Sequence, residues 1–331
     1  MGREGRVAEK REKRRALNLS EEAAARAETT GAPEPRVRAL VLSGYGLNCD
    51  YETEHVLRVA GAAPERVHIN DLVAGRARLA DFQILAFIGG FAWADDHGAG
   101  VILATKLRHH LGEALLEFVR SGRLVIGICN GFQALVNLGL LPGFAPGAFR
   151  REVALTHNDC GNFRDQWVHL RIEASPCVLT RGLTRMDLPV RHAEGKFIAA
   201  PEVLARLEKG GQVVMRYALP DGSPARGAFP WNPNGSLRDI AGICDASGRV
   251  FGLMPHPEAF HHFTNHPDWT RRMWAGRGGR PGGEEVVEES HAGIWPSEGE
   301  TSLVLGEEGA GIAIFRNAVL EAERLMSPRS R

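Results

Sequence analysis

The sequence has little cysteine: five residues in a chain of 331. Their number is odd and no two of them form a Cys-x-x-Cys pair, so the sequence predicts neither a disulfide framework nor a structural zinc site. It also lacks a run of about 18 apolar residues, the length that a membrane helix needs, and its charged N-terminus has no apolar core of a signal peptide. We therefore expect a cytoplasmic protein with reduced thiols.

The chain has no excess of either charge. Its 40 lysine and arginine residues balance 40 aspartate and glutamate residues, which argues against a broad basic surface for nucleic acid or anionic lipid. A phosphate-binding loop is also missing, because Gly44-Tyr45-Gly46 is too short for one and is typical of a turn at a strand end. We predict no nucleic-acid partner, no membrane association and no cofactor in this chain.

Two segments differ in composition from the rest. Residues 1–35 are charged, show little apolar face and end in a segment with two prolines, which predicts a flexible N-terminal extension. Residues 36–331 then form one predicted domain. Within it, a stretch rich in glycine and glutamate predicts an irregular insertion at about 262–311. An amphipathic helix from Ile312 to about Met326 closes the chain.

Apolar strands alternate with helices through the first half of this domain. The pattern predicts an α/β fold with a mainly parallel sheet and helices on both faces. From Glu152 to Val214, short strands with glycine and proline turns predict a short antiparallel add-on. A late hairpin follows at residues 240–254. The predicted strands of the first half are Val37–Leu42, Val67–Ile69, Ile84–Ile88 and Arg123–Ile128, and the predicted helices are Tyr51–Ala60, residues 101–120 and Asn130–Leu138.

The most informative segment is Gly127-Ile128-Cys129-Asn130-Gly131, which joins a buried strand directly to a helix. This is the strand–turn–helix context of a nucleophile elbow, with cysteine in place of serine. The turn places Cys129 at the carboxyl end of a strand and at a helix N-terminus, where a negative sulfur is stabilised. A buried structural cysteine is the common alternative. The bracketing glycines favour a catalytic nucleophile.

A base for this nucleophile is predicted in Met254-Pro255-His256-Pro257-Glu258. The prolines keep the backbone extended, and residues i and i+2 of an extended segment point to the same side. Glu258 can then orient the imidazole of His256, as in a catalytic triad. The alternative is that His256 and Glu258 are an exposed surface pair, which is the commoner situation for a His-x-Glu sequence. Three further histidines at 261, 262 and 266 provide no clear ligand set, so we predict no metal site.

Gly89, Gly90 and Phe91 follow another buried strand. Glycines let the backbone approach a ligand and direct N–H groups at it. We predict that the N–H groups of Gly90 and Asn130 donate to the oxyanion of a tetrahedral intermediate. An ordinary turn after a strand is the alternative.

Together, Gly-Gly-Phe, Gly-x-Cys-x-Gly-x-Gln and His-Pro-Glu resemble the class I glutamine amidotransferases. The resemblance spans about residues 37–260. It implies a flavodoxin-like fold in which Cys129 is the nucleophile, His256 the base and Glu258 its orienting partner. It also implies that Gln133 and the Gly89–Phe91 loop help to hold the substrate, L-glutamine.

Further motifs are similar to one branch of that family, the glutaminase subunits of phosphoribosylformylglycinamidine synthase. This likeness implies that glutamine is hydrolysed to glutamate and ammonia for purine biosynthesis. It implies as partners a large synthetase subunit, which uses ATP and Mg²⁺ to make formylglycinamidine ribonucleotide, and a small PurS-type subunit. The motifs are Gly46-Leu47-Asn48-Cys49-Asp50-x-Glu52, Gly89-Gly90-Phe91-x-x-x-Asp95, Cys129-Asn130-Gly131-Phe132-Gln133, Gly139-Leu140-Leu141-Pro142-Gly143, Asn232-Pro233-Asn234-Gly235-Ser236, Ile240-Ala241-Gly242-Ile243 and Met254-Pro255-His256-Pro257-Glu258.

One segment departs from that pattern. His192-Ala193-Glu194-Gly195 has alanine where the family usually has a second glycine. The surrounding residues, 191–196, are interpreted either as a contact to the partner or to the glutamine carboxylate, or as a solvated loop. Two other functions stay open at this point: a different amidotransferase on the same fold, and a regulatory subunit without activity.

Overall fold

The computed structural model describes residues 37–145, 147–275 and 308–327. The predicted N-terminal extension and positions 276–307 of the predicted insertion lie outside this range, so the division of the chain into these segments stays a prediction. Among the described residues, no helix combines the length and the apolar character that crossing a membrane requires.

The first half of the domain follows the predicted alternation of strands and helices. Strand bounds differ from the predicted ones by a few residues, and the long helix and the helix after Cys129 have the predicted bounds. The elements are β1 (Arg38–Ser43), α1 (Asp50–Val59), β2 (Ala63–His68), α2 (Ile69–Val73), β3 (Ile84–Phe87), α3 (Val101–Arg120), β4 (Leu124–Ile128) and α4 (Asn130–Leu138).

The second half contains mainly antiparallel strands, including the predicted late hairpin. One helix, α5, lies where only short strands are predicted. Its proline at the first helical position and its buried Leu204 and Leu207 explain it as a short amphipathic helix. The elements are β5 (Val153–His157), β6 (Arg164–Ile172), β7 (Arg185–His192), β8 (Glu194–Ala199), α5 (Pro201–Lys209), β9 (Val213–Ala218), β10 (Ile240–Cys244), β11 (Val250–Leu253), α6 (Trp269–Ala275) and α7 (Ile312–Met326).

A nine-stranded sheet has the order β2-β1-β3-β4-β11-β10-β9-β6-β7. The strands from β2 to β11 in this order are parallel, and those from β10 to β7 continue the same sheet in antiparallel pairs. Strands β5 and β8 form a separate antiparallel pair. Two groups of helices pack around the parallel part, α1 with α7 and α3 with α4. The predicted fold class is confirmed.

This strand order brings three distant segments of the chain to one edge. Strand β4 lies between β3 and β11, and Gly127 is paired with Phe87 on one side and Gly252 on the other. Because all three strands are parallel, their carboxyl ends meet. Gly89, Cys129 and His256 each lie within a few residues of such an end.

The elbow glycine after Cys129 is required by close packing. A Cβ on Gly131 would lie 2.1 Å from the carbonyl oxygen of Phe87. Helix α4 therefore starts directly against the end of β3, and only glycine permits that approach.

Candidate active site

Cys129 lies in the turn between β4 and α4, as the sequence predicts. Its backbone is held at φ 50° and ψ −107°, a strained conformation for a residue with a side chain. Its N–H donates to the carbonyl of Leu253 at the end of β11 (2.8 Å). The thiol donates to the carbonyl of Arg191 (3.7 Å). The turn is thus fixed on both sides, and it directs the sulfur toward the segment that follows β11.

His256 and Glu258 form a buried pair on that segment. Nδ1 of His256 lies 2.6 Å from Oε1 of Glu258, and the side chains are 2% and 1% exposed. The backbone N–H of His256 donates to the carbonyl of Pro189 on β7 (2.9 Å). The pairing agrees with the sequence prediction, and the alternative of a surface pair is wrong. The backbone is not extended as predicted, because Pro257–Ala259 form a 3₁₀ turn that brings Glu258 to the imidazole.

The environment of His256 favours its charged form. Burial lowers the pKa of the imidazole, but the negative charges of Glu258 and of the Cys129 sulfur raise it, and they prevail, so that the pKa lies well above its usual value. An imidazolium beside the sulfur stabilises a negative charge there. Cys129, His256 and Glu258, which are far apart in the sequence, are thus in one interacting group.

The Gly89–Phe91 loop lies against this group. Two backbone hydrogen bonds hold it to the turn after β1: Phe91 N–H to the carbonyl of Gly46 (2.8 Å), and Cys49 N–H to the carbonyl of Gly89 (3.4 Å). This bridge does not use the N–H of Gly90. The N–H of Asn130 begins helix α4 and is one of the donors that a helix leaves unpaired. Both predicted oxyanion donors therefore stay candidates.

Asn130 and Gln133 connect the candidate nucleophile to the surrounding loops. The Asn130 amide donates to Asp95 Oδ1 (2.7 Å) and to Gln133 Oε1 (3.1 Å), and its oxygen accepts from Ala92 N–H (3.3 Å). Gln133 in turn donates to the carbonyl of Glu194 (2.6 Å). The predicted contact of Gln133 with substrate is untested, since its amide joins α4 to β8 here.

Asp95 lies in an unusual environment for a carboxylate. Burial, with a smaller contribution from the charge of Glu194, raises its pKa to about 6, although the hydrogen bond from Asn130 lowers it. Its backbone is left-handed, as are those of three neighbours in the same loop, Trp93, Ala94 and His97. Such a loop stores conformational strain.

Residues 191–196 do not form a solvated loop. They make up the end of β7, Ala193, and the start of β8. His192 is buried, and its Nδ1 lies 3.1 Å from Oδ1 of Asn158. Burial, together with the charge of His256, lowers the pKa of His192 to about 3. The segment thus lines the site beside Cys129, so the solvated loop among the sequence interpretations is wrong.

Residues of the Asn232–Ser236 motif form hydrogen bonds with residues 191–196 and with the adjacent Phe197. Asn234 donates to the carbonyl of Gly195 (2.9 Å) and to the hydroxyl of the buried Tyr217 (3.2 Å). The hydroxyl of Ser236 accepts from Phe197 N–H (2.9 Å). The sequence identified this motif by its resemblance alone, because nothing local indicates which strand it would contact.

The three histidines after Glu258 have separate partners. His261 approaches the carbonyl of Glu258 (3.2 Å), His262 pairs with Thr264 (2.7 Å), and His266 packs on Trp167. They share no group of metal-ligating atoms among the described residues.

Access to the sulfur is restricted in this conformation. Cys129 is only 4% exposed. It is covered by neighbouring groups, which include the carbonyl of Arg191 and the imidazole of His256. A substrate must therefore displace a covering segment. The strained loop of residues 91–97 adjoins the Cys129 turn through the hydrogen bond from Asn130 to Asp95 (2.7 Å).

Comparisons with known proteins agree with this architecture. Residues 36–285 match the CobB/CobQ-like glutamine amidotransferase domain. A phosphoribosylformylglycinamidine synthase subunit PurQ from Methanococcus maripaludis is 44% identical over 232 residues, which are 70% of this chain and 85% of that protein. A PurQ subunit from Dehalococcoides mccartyi is 44% identical over 291 residues, or 88% of this chain and 99% of that protein.

A chain in the structure of PurLQS from Thermotoga maritima is 31% identical, with a TM-score of 0.52, and the match covers 67% of this chain and 88% of that one. The chain described here belongs to the CobB/CobQ-like glutamine amidotransferases and, among them, to the family of phosphoribosylformylglycinamidine synthase subunits PurQ.

Proposed function

We propose that this glutamine amidotransferase hydrolyses L-glutamine to glutamate and ammonia at Cys129. The ammonia then serves a synthetase that makes formylglycinamidine ribonucleotide in purine biosynthesis. One observation carries the chemistry: the elbow cysteine and the buried His256–Glu258 pair interact at the carboxyl edge of the sheet. The relatives named PurQ support the pathway.

In the first half-reaction, the sulfur of Cys129 attacks the side-chain amide carbon of glutamine. The carbonyl π electrons move to the oxygen, and the N–H groups of Gly90 and Asn130 stabilise the oxyanion. The imidazolium of His256 gives its proton to the amide nitrogen as the C–N bond breaks. Ammonia leaves, and a glutamyl thioester stays on Cys129. Glu258 keeps the imidazole oriented throughout.

In the second half-reaction, water attacks the thioester carbon. His256, now neutral, accepts a proton from this water. The C–S bond breaks, glutamate leaves, and the sulfur and the imidazolium are restored. None of these steps consumes ATP or requires a metal ion, so we assign ATP and Mg²⁺ to the partner.

The proposed partners are a large synthetase subunit and a small PurS-type subunit. The support is the likeness to a chain in the solved PurLQS structure. We also place the protein in the cytoplasm, because all five of its cysteines are free thiols and such thiols persist in a reducing compartment.

Replacement of Cys129 by alanine in the reconstituted complex tests the proposal. We expect glutamine-dependent synthesis to fall to background, whereas synthesis from added ammonium continues at the wild-type rate. Cys160→Ala is the matched control, since Cys160 is a thiol outside this group. Glutamine-dependent synthesis at the wild-type rate in Cys129→Ala would reject the assignment of the nucleophile.

A further inference from the structure

A second thiol, that of Cys49, lies beside His256. Cys49 precedes helix α1 and is 8% exposed. Both side chains also lie against Gly89: a Cβ on Gly89 would lie 3.1 Å from Sγ of Cys49 and 2.7 Å from Cε1 of His256. The mechanism proposed above makes no use of this thiol.

Cys49, His256 and Glu258 form a compact set of donor atoms. The sulfur, one ring nitrogen and one carboxylate oxygen all lie within 4.8 Å of one another, and all three residues are buried. Thiolate, imidazole and carboxylate together are the ligands of Zn²⁺ in proteins, whereas Mg²⁺ and Ca²⁺ prefer oxygen ligands alone. The set therefore selects a borderline-soft ion.

A second observation points to a ligand at this place. Nε2 of His256 and Oε2 of Glu258 are buried, and neither has a hydrogen-bond partner among the described residues. Buried polar atoms without partners are rare in folded proteins and require an explanation. Substrate and water account for Nε2 during turnover, but Oε2 faces no step of the reaction. A metal ion bound at this carboxylate would provide a partner for Oε2 of Glu258.

We propose that Cys49, His256 and Glu258 bind a single Zn²⁺ ion, and that the bound ion inhibits the glutaminase. Inhibition follows because the ion occupies the imidazole that transfers protons to and from Cys129. The ion is not a resident cofactor, which agrees with the absence of any metal requirement in the proposed reaction. The inhibition depends on the proposed function, whereas the binding does not.

Zn²⁺ binding to the full chain tests this site without any substrate. Competition with a chromophoric chelator is measured for the wild type, for Cys49→Ser and for Cys160→Ser as the matched thiol control. We expect one high-affinity ion per wild-type chain and per Cys160→Ser chain, and an affinity at least about 100-fold lower in Cys49→Ser, since loss of a ligand costs more than loss of a supporting group. Equal affinity in Cys49→Ser and wild type would overturn the proposal.

Co²⁺ provides a spectroscopic readout that identifies which thiol binds the ion. Bound to the wild type, it should give the thiolate-to-metal absorption of a tetrahedral site, and Zn²⁺ should displace it. The Cys129→Ala chain should keep this absorption, because Cys129 is outside the proposed set. Absorption that is lost in Cys129→Ala and kept in Cys49→Ser contradicts the assignment.

Inhibition is then measured on glutamine hydrolysis by the complex. Each variant's rate is normalised to its own rate without Zn²⁺. The Zn²⁺ concentration for half-inhibition should be higher in Cys49→Ser than in the wild type, by the same factor as the loss of binding affinity. A chelator should restore activity. Binding without inhibition refutes the second half of the proposal. A wild-type complex that hydrolyses no glutamine refutes the proposed function and leaves the binding result intact.

Discussion

Two carboxylates near Cys129 differ in their environment. Glu258 is wholly buried and bonded to the imidazole of His256. Asp95 is half-buried, accepts from the amide of Asn130, and has a pKa of about 6. Glu258 thus has a cationic partner in His256, whereas Asp95 is partly desolvated without one. This contrast leads to separate predictions for catalysis and for stability.

Glu258→Gln should lower kcat for glutamine hydrolysis by on the order of a thousandfold, because the neutral amide neither fixes the tautomer of His256 nor supports its positive charge. The pKa of His256 should fall, since a cause of its rise is removed. Steady-state rates across pH measure both effects. Glu52→Gln, in the first turn of α1, should keep the wild-type rate. A wild-type kcat in Glu258→Gln would contradict the role of Glu258.

Asp95→Asn should stabilise the fold in a pH-dependent way. The folded pKa of Asp95, about 6, lies above the 3.8 of an ordinary aspartate side chain. The folded state therefore loses stability as pH rises through 6, and none of this loss is present below about pH 4. Asparagine cannot ionise, so the variant should gain about 1 kcal/mol at pH 8, after a discount for solvent screening, and no pH-dependent part at pH 4.

Urea unfolding of wild type and variant at both pH values measures this difference. Asp96→Asn is the control, because Asp96 is adjacent but exposed, and its effect should be equal at the two pH values. An equal effect of Asp95→Asn at both values would be inconsistent with the raised pKa.

At the scale of elements, three strand ends create the site. The turn after β3 contributes Gly89 and Gly90, the turn after β4 contributes Cys129, and the segment after β11 contributes His256. These turns touch one another through backbone atoms and leave no space for additional side-chain atoms. A Cβ on Gly131 after β4, for example, would lie 2.1 Å from the carbonyl oxygen of Phe87 at the end of β3.

Gly89→Ala should therefore abolish most of the activity. Its methyl group would lie 2.7 Å from Cε1 of His256, so the ring must move away from Cys129, and a displacement of this size costs about 100-fold in rate. Gly44→Ala is a matched control in the turn after β1, where the nearest atoms are at 3.4 Å and 3.6 Å. Glutamine turnover and a thermal melt separate loss of activity from loss of folding. Full activity in Gly89→Ala would show that the ring position is not limiting.

In the molecule as a whole, the chain that leads into the last helix contacts the segment that carries His256. The chain before α7 lies on the His256 segment: Gly311 N–H donates to the carbonyl of Phe260 (3.0 Å). Helix α7 then packs on α1. Glu321, buried on this helix, pairs with Arg324 (2.6 Å), Arg181 (3.5 Å) and Arg249 (3.7 Å). These pairs join the C-terminal helix to two earlier parts of the domain.

Glu321→Gln should lower the free energy of unfolding by about 2 kcal/mol at pH 7, because three arginines lose their shared carboxylate. The arginines lower the pKa of Glu321. Its contribution is therefore present above the unfolded pKa and is lost as pH falls through the folded pKa. Urea unfolding at pH 7 and pH 3 measures the change, which should shrink at the lower pH. Glu323→Gln, at an exposed position, should have no such effect, and a pH-independent change in Glu321→Gln would be contrary to this account.

Local sequence patterns suffice to predict the parallel half of the sheet, the long helix α3 and the helix α4 after Cys129. These elements follow from local periodicity and from glycines at strand ends, so a short window of residues suffices. The Cys129 turn follows in the same way. The His256–Glu258 pairing is predicted from an extended segment, whereas Pro257–Ala259 form a 3₁₀ turn, so the pairing is correct and its predicted backbone geometry is wrong.

Which of these segments meet depends on the order of the strands in the folded sheet. The position of β11 beside β4 brings His256 to Cys129, and the continuation of the sheet through β10, β9, β6 and β7 brings residues 191–196 to the same place. Cys49 approaches His256 because β1 and β4 both pair with β3. Such contacts depend on strand order, which no local pattern encodes, because the free energy that selects the order comes from burying the whole sheet at once.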